Sequence, residues 1–212
     1  MLGLMSFSSA EREKLAALLL ELGPAAPTLC GGWDTREMAA HLWLREHHPR
    51  AAAGIVFPFL SKVTEDVMRE VAERDYAAVV SAWAAGPKKF HPLRFFDSVA
   101  NFAEHFVHHE DVRRANGMVK PREFSTVVND KMYKTLTVLA PRMLTKSTKP
   151  VALFAPGYPR LLAANSRGVT SQGSAVVTVM GAVPELLLWV FGRDEAEVVI
   201  KGDDTAIVRS SL

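Results

Sequence analysis

Residues 101–114 read N-F-A-E-H-F-V-H-H-E-D-V-R-R and hold three of the chain's seven histidines, together with Glu104, Glu110 and Asp111. Glu104 and His108 stand four residues apart, as do His105 and His109. Four residues make about one helical turn, so both side chains of such a pair reach the same point. Metal sites in helical bundles use such a pair with a further ligand from a facing helix. His41, in M-A-A-H-L-W-L-R-E, is the natural third ligand. His47 and His48 follow Glu46 near a helix end and read as exposed end residues.

A helical wheel at about 100° per residue leaves the choice of pair open. Phe95, Val99, Phe102, Ala103, Phe106 and Val107 define an apolar arc, and the two pairs flank it on opposite sides. His109 lies closer to Phe102 than Glu104 lies to Val107, so periodicity leans slightly toward His105 and His109. Asp111 shares a face with Glu104 and His108. Solvated, Glu104 and His108 would only form a surface pair contributing about 0.2–0.5 kcal/mol.

These residues need helices to position them. Ser8 or Ser9 caps a first helix with apolar positions Leu15, Leu18, Leu19 and Leu22, ended by Gly23-Pro24. P-A-A-P-T-L-C-G-G-W is an irregular linker. Asp34, with Glu37 three residues on, forms a capping box that starts the helix carrying His41. Residues 61–85 read as one or two helices with Trp83 facing in and Gly86-Pro87 as the stop. A long helix runs from about Leu93 to Asn116, ended at Asn116-Gly117, and another covers 126–145. After Lys149-Pro150 come short β-rich runs, V-A-L-F-A, S-A-V-V-T-V-M-G and A-E-V-V-I-K-G. The helical stretch P-E-L-L-L-W-V-F-G-R lies between the last two. The boundary falls near residue 148, giving a helical metal-binding bundle over 1–147 and a small α+β domain over 148–212.

Composition narrows the function. The chain has 212 residues, 49% of them hydrophobic, and a formal net charge of +2. That suits one large or two small domains with a real core and argues against disorder. No basic stripe points to nucleic acid. No stretch approaches the roughly 20 apolar residues of a membrane span. The N-terminus does not resemble a signal peptide, and Met5 could be the natural start. One cysteine, Cys30, permits no intramolecular disulfide, which fits a reducing, cytoplasmic compartment. In its linker it reads as packed and inert.

Residues 27–46, P-T-L-C-G-G-W-D-T-R-E-M-A-A-H-L-W-L-R-E, resemble the first metal-binding motif of the mycothiol-dependent maleylpyruvate isomerase family, within the wider DinB-like metal-dependent bundles. Trp33 and His41 match it. E-H-F-V-H-H-E-D resembles the second motif at Glu104, His108 and Asp111. The F-V-H-H-E-D-V-R-R string is similar to an actinobacterial branch described only as metal-binding proteins. M-G-A-V-P-E-L-L-L-W-V-F-G-R looks like the sterol-carrier-like domain that follows the bundle in this family.

The resemblance implies a DinB-like four-helix bundle followed by a small C-terminal sterol-carrier-like α+β domain. It implies that His41, Glu104 and His108 bind one divalent metal, with zinc the default for such ligands. Asp111 would stand behind them, accepting a bond from a ligand imidazole or from Arg113 or Arg114. His105 and His109 would lie on the flanks. The implied chemistry is activation of a low-molecular-weight thiol such as mycothiol for transfer to, or isomerisation of, an electrophile. Arg45 and Arg193 are candidates for holding an acidic substrate. Their alternatives are pairing with Glu37 or Asp111 for Arg45, and a helix-end charge for Arg193. A monomer or a homodimer fits equally. A non-catalytic metal- or ligand-binding module is the alternative function. The row Leu186 to Phe191 reads as core between a small sheet and the bundle, with a lipid site as the lesser reading.

Overall fold

The computed structural model describes residues 7–55, 57–86, 98–164 and 176–210. Met5, His91, the expected helix start near Leu93, Phe95 and the first two residues of S-A-V-V-T-V-M-G lie outside the described residues. Among those described, the chain is mostly helical with one small C-terminal sheet, and it divides into two compact units, 1–119 and 120–212.

The first unit holds α1 (Phe7–Leu22), α2 (Thr35–His47), α3 (Pro49–Ala53), α4 (Ser61–Ala72), α5 (Tyr76–Ala84) and α6 (Ser98–Ala115). The capping box at the start of α2 is formed. Asp34 Oδ1 accepts from Arg36 N at 2.8 Å and Glu37 N at 3.1 Å, and Glu37 Oε2 accepts from Asp34 N at 2.7 Å. These bonds satisfy amides that the first helical turn leaves without partners. Helix α1 packs on α6 and α5, and α2 packs on α4 and α5. Leu15, Leu19, Met38, Leu42, Val71, Val80, Trp83 and Val112 fill the core between them. Residues 61–85 thus form two helices, with Trp83 inward.

Helix α6 ends where Asn116-Gly117 predicts. Gly117 takes φ 82°, and the amides of Gly117 and Met118 donate to Arg114 O and Arg113 O. That is the left-handed cap that glycine adopts without a Cβ clash. At the other end of the unit, Ser8 lies inside the first turn of α1 rather than before it, and its hydroxyl is used elsewhere, as described below.

The second unit holds α7 (Thr126–Met143), β1 (Val151–Phe154), β2 (Leu161–Ala163), β3 (Val177–Met180), α8 (Val183–Val190) and β4 (Val199–Lys201). Strand order is β2-β1-β3-β4. β1 pairs antiparallel with β2 and parallel with β3, and β3 pairs antiparallel with β4. Every residue of α8 is buried, and α8 packs on α7. α7 also meets β2. This packing moves the division of the chain from the expected 147/148 to 119/120: α7 contributes its apolar side to the C-terminal unit. No helix among the described residues is long and apolar enough to cross a membrane.

Candidate metal centre

Helix α6 is enclosed along both flanks of its apolar arc. Phe102, Ala103, Phe106 and Val107 are buried, and so are His105, His108 and His109. That explains why a helical wheel could not choose between the two pairs: neither side faces water. The neighbours decide instead.

On the α2 side, three acceptor atoms converge. Glu104 Oε2 lies 3.8 Å from His41 Nε2 and 3.6 Å from His108 Nε2. One ligand atom from each of the three residues falls within 4.8 Å of the others. The two imidazoles meet edge to face with ring centres 5.3 Å apart, and Trp33 backs His41 at 5.0 Å. His41 reaches this point because the capping box starts α2 two turns earlier. The Arg45 guanidinium, one turn beyond His41, is ion-paired with the same Glu104 oxygen. That oxygen is buried. Arg45 thus pairs with Glu104.

On the α1 side, both histidines have partners. His105 Nδ1 lies 2.8 Å from Ser8 Oγ and 3.1 Å from Ser8 O, and its Nε2 lies 3.5 Å from Glu46 Oε1. His109 Nδ1 lies 2.9 Å from Glu11 Oε2, with both side chains buried. Arg12 grips Glu46 with two bonds, at 2.7 and 2.6 Å, and donates a third to Trp83 O at 2.7 Å. His105 and His109 therefore fasten α6 to α1. His47 and His48 are half-buried rather than exposed: His47 stacks on Trp43 at 4.7 Å, and His48 Nδ1 accepts from Ala51 N and caps α3.

Asp111 is fully buried, and its Oδ2 lies 3.0 Å from His108 Nδ1. Arg113 and Arg114 pair with Glu110. With Nδ1–H donated to Asp111, a neutral His108 presents its Nε2 lone pair toward Glu104 and His41. Cys30, read from its linker as packed and inert, meets polar groups of α6. Its thiol is half-buried and donates to Asp111 Oδ2 at 3.2 Å, and its sulfur lies 3.8 Å from His108 Nδ1. The linker is fastened to α6 by Leu29 N to Asp111 O at 3.2 Å and by Asn116 Nδ2 to Pro27 O at 3.0 Å. Only the pattern of a single cysteine close before Trp33 pointed there.

Electrostatics separates the two imidazoles. Burial, then the neighbouring His108 and Arg45, holds His41 well below the usual histidine range. His41 is neutral at neutral pH, with a lone pair available to a metal. Burial also pushes His108 down, but its bonds to Asp111 and Cys30 outweigh that and raise it overall. A cation at Nε2 of His108 must displace the proton that this raised affinity favours.

The donor set fits a divalent ion: two imidazole nitrogens and one carboxylate oxygen, all within 4.8 Å of one another. Arg45 is the competing cation already there. In the C-terminal unit, Arg193 donates to Phe191 O at 2.6 Å, just past the Gly192 cap of α8. No family model, curated protein or solved structure matches this chain.

Proposed function

We propose that the chain binds one divalent metal ion, zinc by default, through His41, Glu104 and His108. The convergence of His41 Nε2, His108 Nε2 and Glu104 Oε2 carries this reading. Three protein ligands leave coordination positions open, as in catalytic rather than structural sites. A metal bound there would supply Lewis acidity and lower the pKa of a bound water or thiol. His108 would be oriented by Asp111 and His41 by Trp33. Arg45 would hold an acidic group near the site once Glu104 turns to a metal. On this reading, and on the resemblance to the maleylpyruvate isomerase family, the protein is a metal-dependent transferase or isomerase. Its partners are a small thiol of the mycothiol type and an electrophile.

Elemental analysis tests the ligand set. Purified wild type should carry about one divalent metal per chain, His41→Ala should lose it, and His105→Ala should keep it. Full occupancy in His41→Ala would remove the proposal. A thiol-binding assay on the metal-loaded protein then separates the enzyme from a metal-binding module without turnover.

A further inference from the structure

His108 has two ring nitrogens, and the site above uses one. The other, Nδ1, faces a separate group of potential ligands: the Cys30 sulfur at 3.8 Å and Asp111 Oδ2 at 3.0 Å, with 3.2 Å between sulfur and carboxylate. Ligand atoms around one tetrahedral ion stand about 3.3–3.8 Å apart, given metal–nitrogen and metal–oxygen bonds near 2.0–2.2 Å and metal–sulfur bonds near 2.3 Å. The three atoms are already at or slightly inside that spacing, so small outward movements would admit an ion.

We infer that Cys30, Asp111 and His108 Nδ1 form a second cation seat, selective for thiophilic ions such as cadmium or cuprous copper, back to back with the His41/Glu104 seat.

Three observations favour it. First, the charge balance is better than in the other seat. A thiolate and a carboxylate neutralise a divalent ion, whereas Glu104 is the one carboxylate of its cluster and is already ion-paired with Arg45. Second, the ligands are held. The Leu29 and Asn116 bonds fix the linker to α6, so Cys30 cannot swing away without breaking backbone contacts. Third, the approach is open on one side: Cys30 is half-buried while Asp111 is fully enclosed. A soft sulfur ligand selects thiophilic ions over magnesium or calcium. Binding replaces two protons. The thiol proton leaves to solvent, and the Nδ1 proton moves to Nε2 of the same neutral ring through exchange with water. An ion on Nε2 blocks that move, so the two seats oppose each other. The inference does not need His41 or Glu104 to bind metal.

The test is a cadmium titration of the full chain, stripped of metal beforehand. The readout is the ultraviolet thiolate-to-cadmium charge-transfer band in wild type, His41→Ala and Asp111→Asn. Cys30 is the chain's single cysteine, so the band reports this sulfur alone. The band should saturate at one cadmium per chain in wild type and in His41→Ala, with a midpoint in His41→Ala no higher than in wild type. Asp111→Asn should raise the midpoint by about tenfold or more. An unchanged midpoint in Asp111→Asn would mean that Cys30 binds as a solitary thiol, and the seat would be rejected. Loss of the band in His41→Ala would assign the sulfur to the other seat, and saturation at one cadmium per two chains would mean a bridge between molecules; either rejects it too. Should Asp111→Asn fail to fold, the cadmium NMR shift of wild type decides. A shift typical of one sulfur with nitrogen and oxygen ligands supports the seat, and a shift typical of oxygen and nitrogen alone rejects it.

Discussion

The two flanks of α6 carry the same spacing and play opposite parts. Toward α2, Glu104 and His108 lie close to His41 and to one another, and the Arg45 cation is paired with Glu104. Toward α1, His105 and His109 meet Ser8, Glu46 and Glu11, so hydrogen-bonding capacity is met within the protein. A buried polar group with a complementary partner holds structure together, whereas acceptors gathered without donors invite a cation. What separates a latch from a candidate metal centre here is the partner across the helix interface. The i, i+4 spacing is common to both.

The contrast is sharpest in stability. Glu46→Ala would leave the half-buried Arg12 and the buried His105 without their carboxylate, and breaking such a largely buried pair costs up to about 3–5 kcal/mol. Metal content should be unchanged. Chemical denaturation with parallel elemental analysis checks both. Concurrent loss of metal would show that the flanks are not separate. The opposite flank should answer to ligand rather than to mutation of the Arg12–Glu46–His105 latch. Zinc at about a hundredfold its Kd should raise stability by about 2.7 kcal/mol in Cys30→Ser, where only the α2-flank seat remains, and by nothing in Cys30→Ser/His41→Ala. A zinc-induced shift that survives in the double variant would erase the distinction.

Much of this contrast was legible in the sequence, and some was not. The Asp34–Glu37 box and the Asn116-Gly117 stop were readable because caps are local: the residues that satisfy the helix ends lie within a few positions of them. His41, Glu104 and His108 could be named as a set, and the fold gathers them. The choice of flank was not readable, because a helix enclosed on all sides has no polar face for the wheel to find. Nor was the boundary, since an amphipathic pattern over 126–143 says that α7 buries one side without saying against what. Cys30 packs against the core as its linker position suggested, but its polar partners on α6, some eighty positions away, were not readable. Linker composition carries no trace of that contact.

A smaller effect sharpens the α2 flank. Arg45 holds the position beside Glu104 that a metal ion would share. Replacing it by a neutral residue of similar length, Arg45→Met, removes a like charge from the cation's neighbourhood. One unit charge at about 4 Å is worth at least about 1 kcal/mol even in high dielectric, so zinc should bind roughly fivefold tighter. Competition with a chromophoric chelator measures it. Weaker zinc binding in Arg45→Met would mean that Arg45 supports the site and does not compete for it.

The smallest expected effect lies on the α1 flank and depends on pH. Burial pushes the Glu46 carboxyl upward, but its bonds to His105 and Arg12 outweigh this and hold it below the usual carboxylate range. A carboxyl whose pKa is lower folded than unfolded stabilises the fold fully above the unfolded value, near about 4.3. That contribution fades as pH falls through the folded pKa, because the unfolded chain takes up its proton first. One group can change stability by no more than about 1.4 kcal/mol per pH unit. Wild type should therefore lose stability below about pH 4.3 more steeply than Glu46→Gln, which has no proton to bind there. Denaturant midpoints between neutral pH and the acid limb give both slopes. Parallel slopes would mean that the Arg12–Glu46 pair does not tune this carboxyl, and that the α1 flank holds by packing alone.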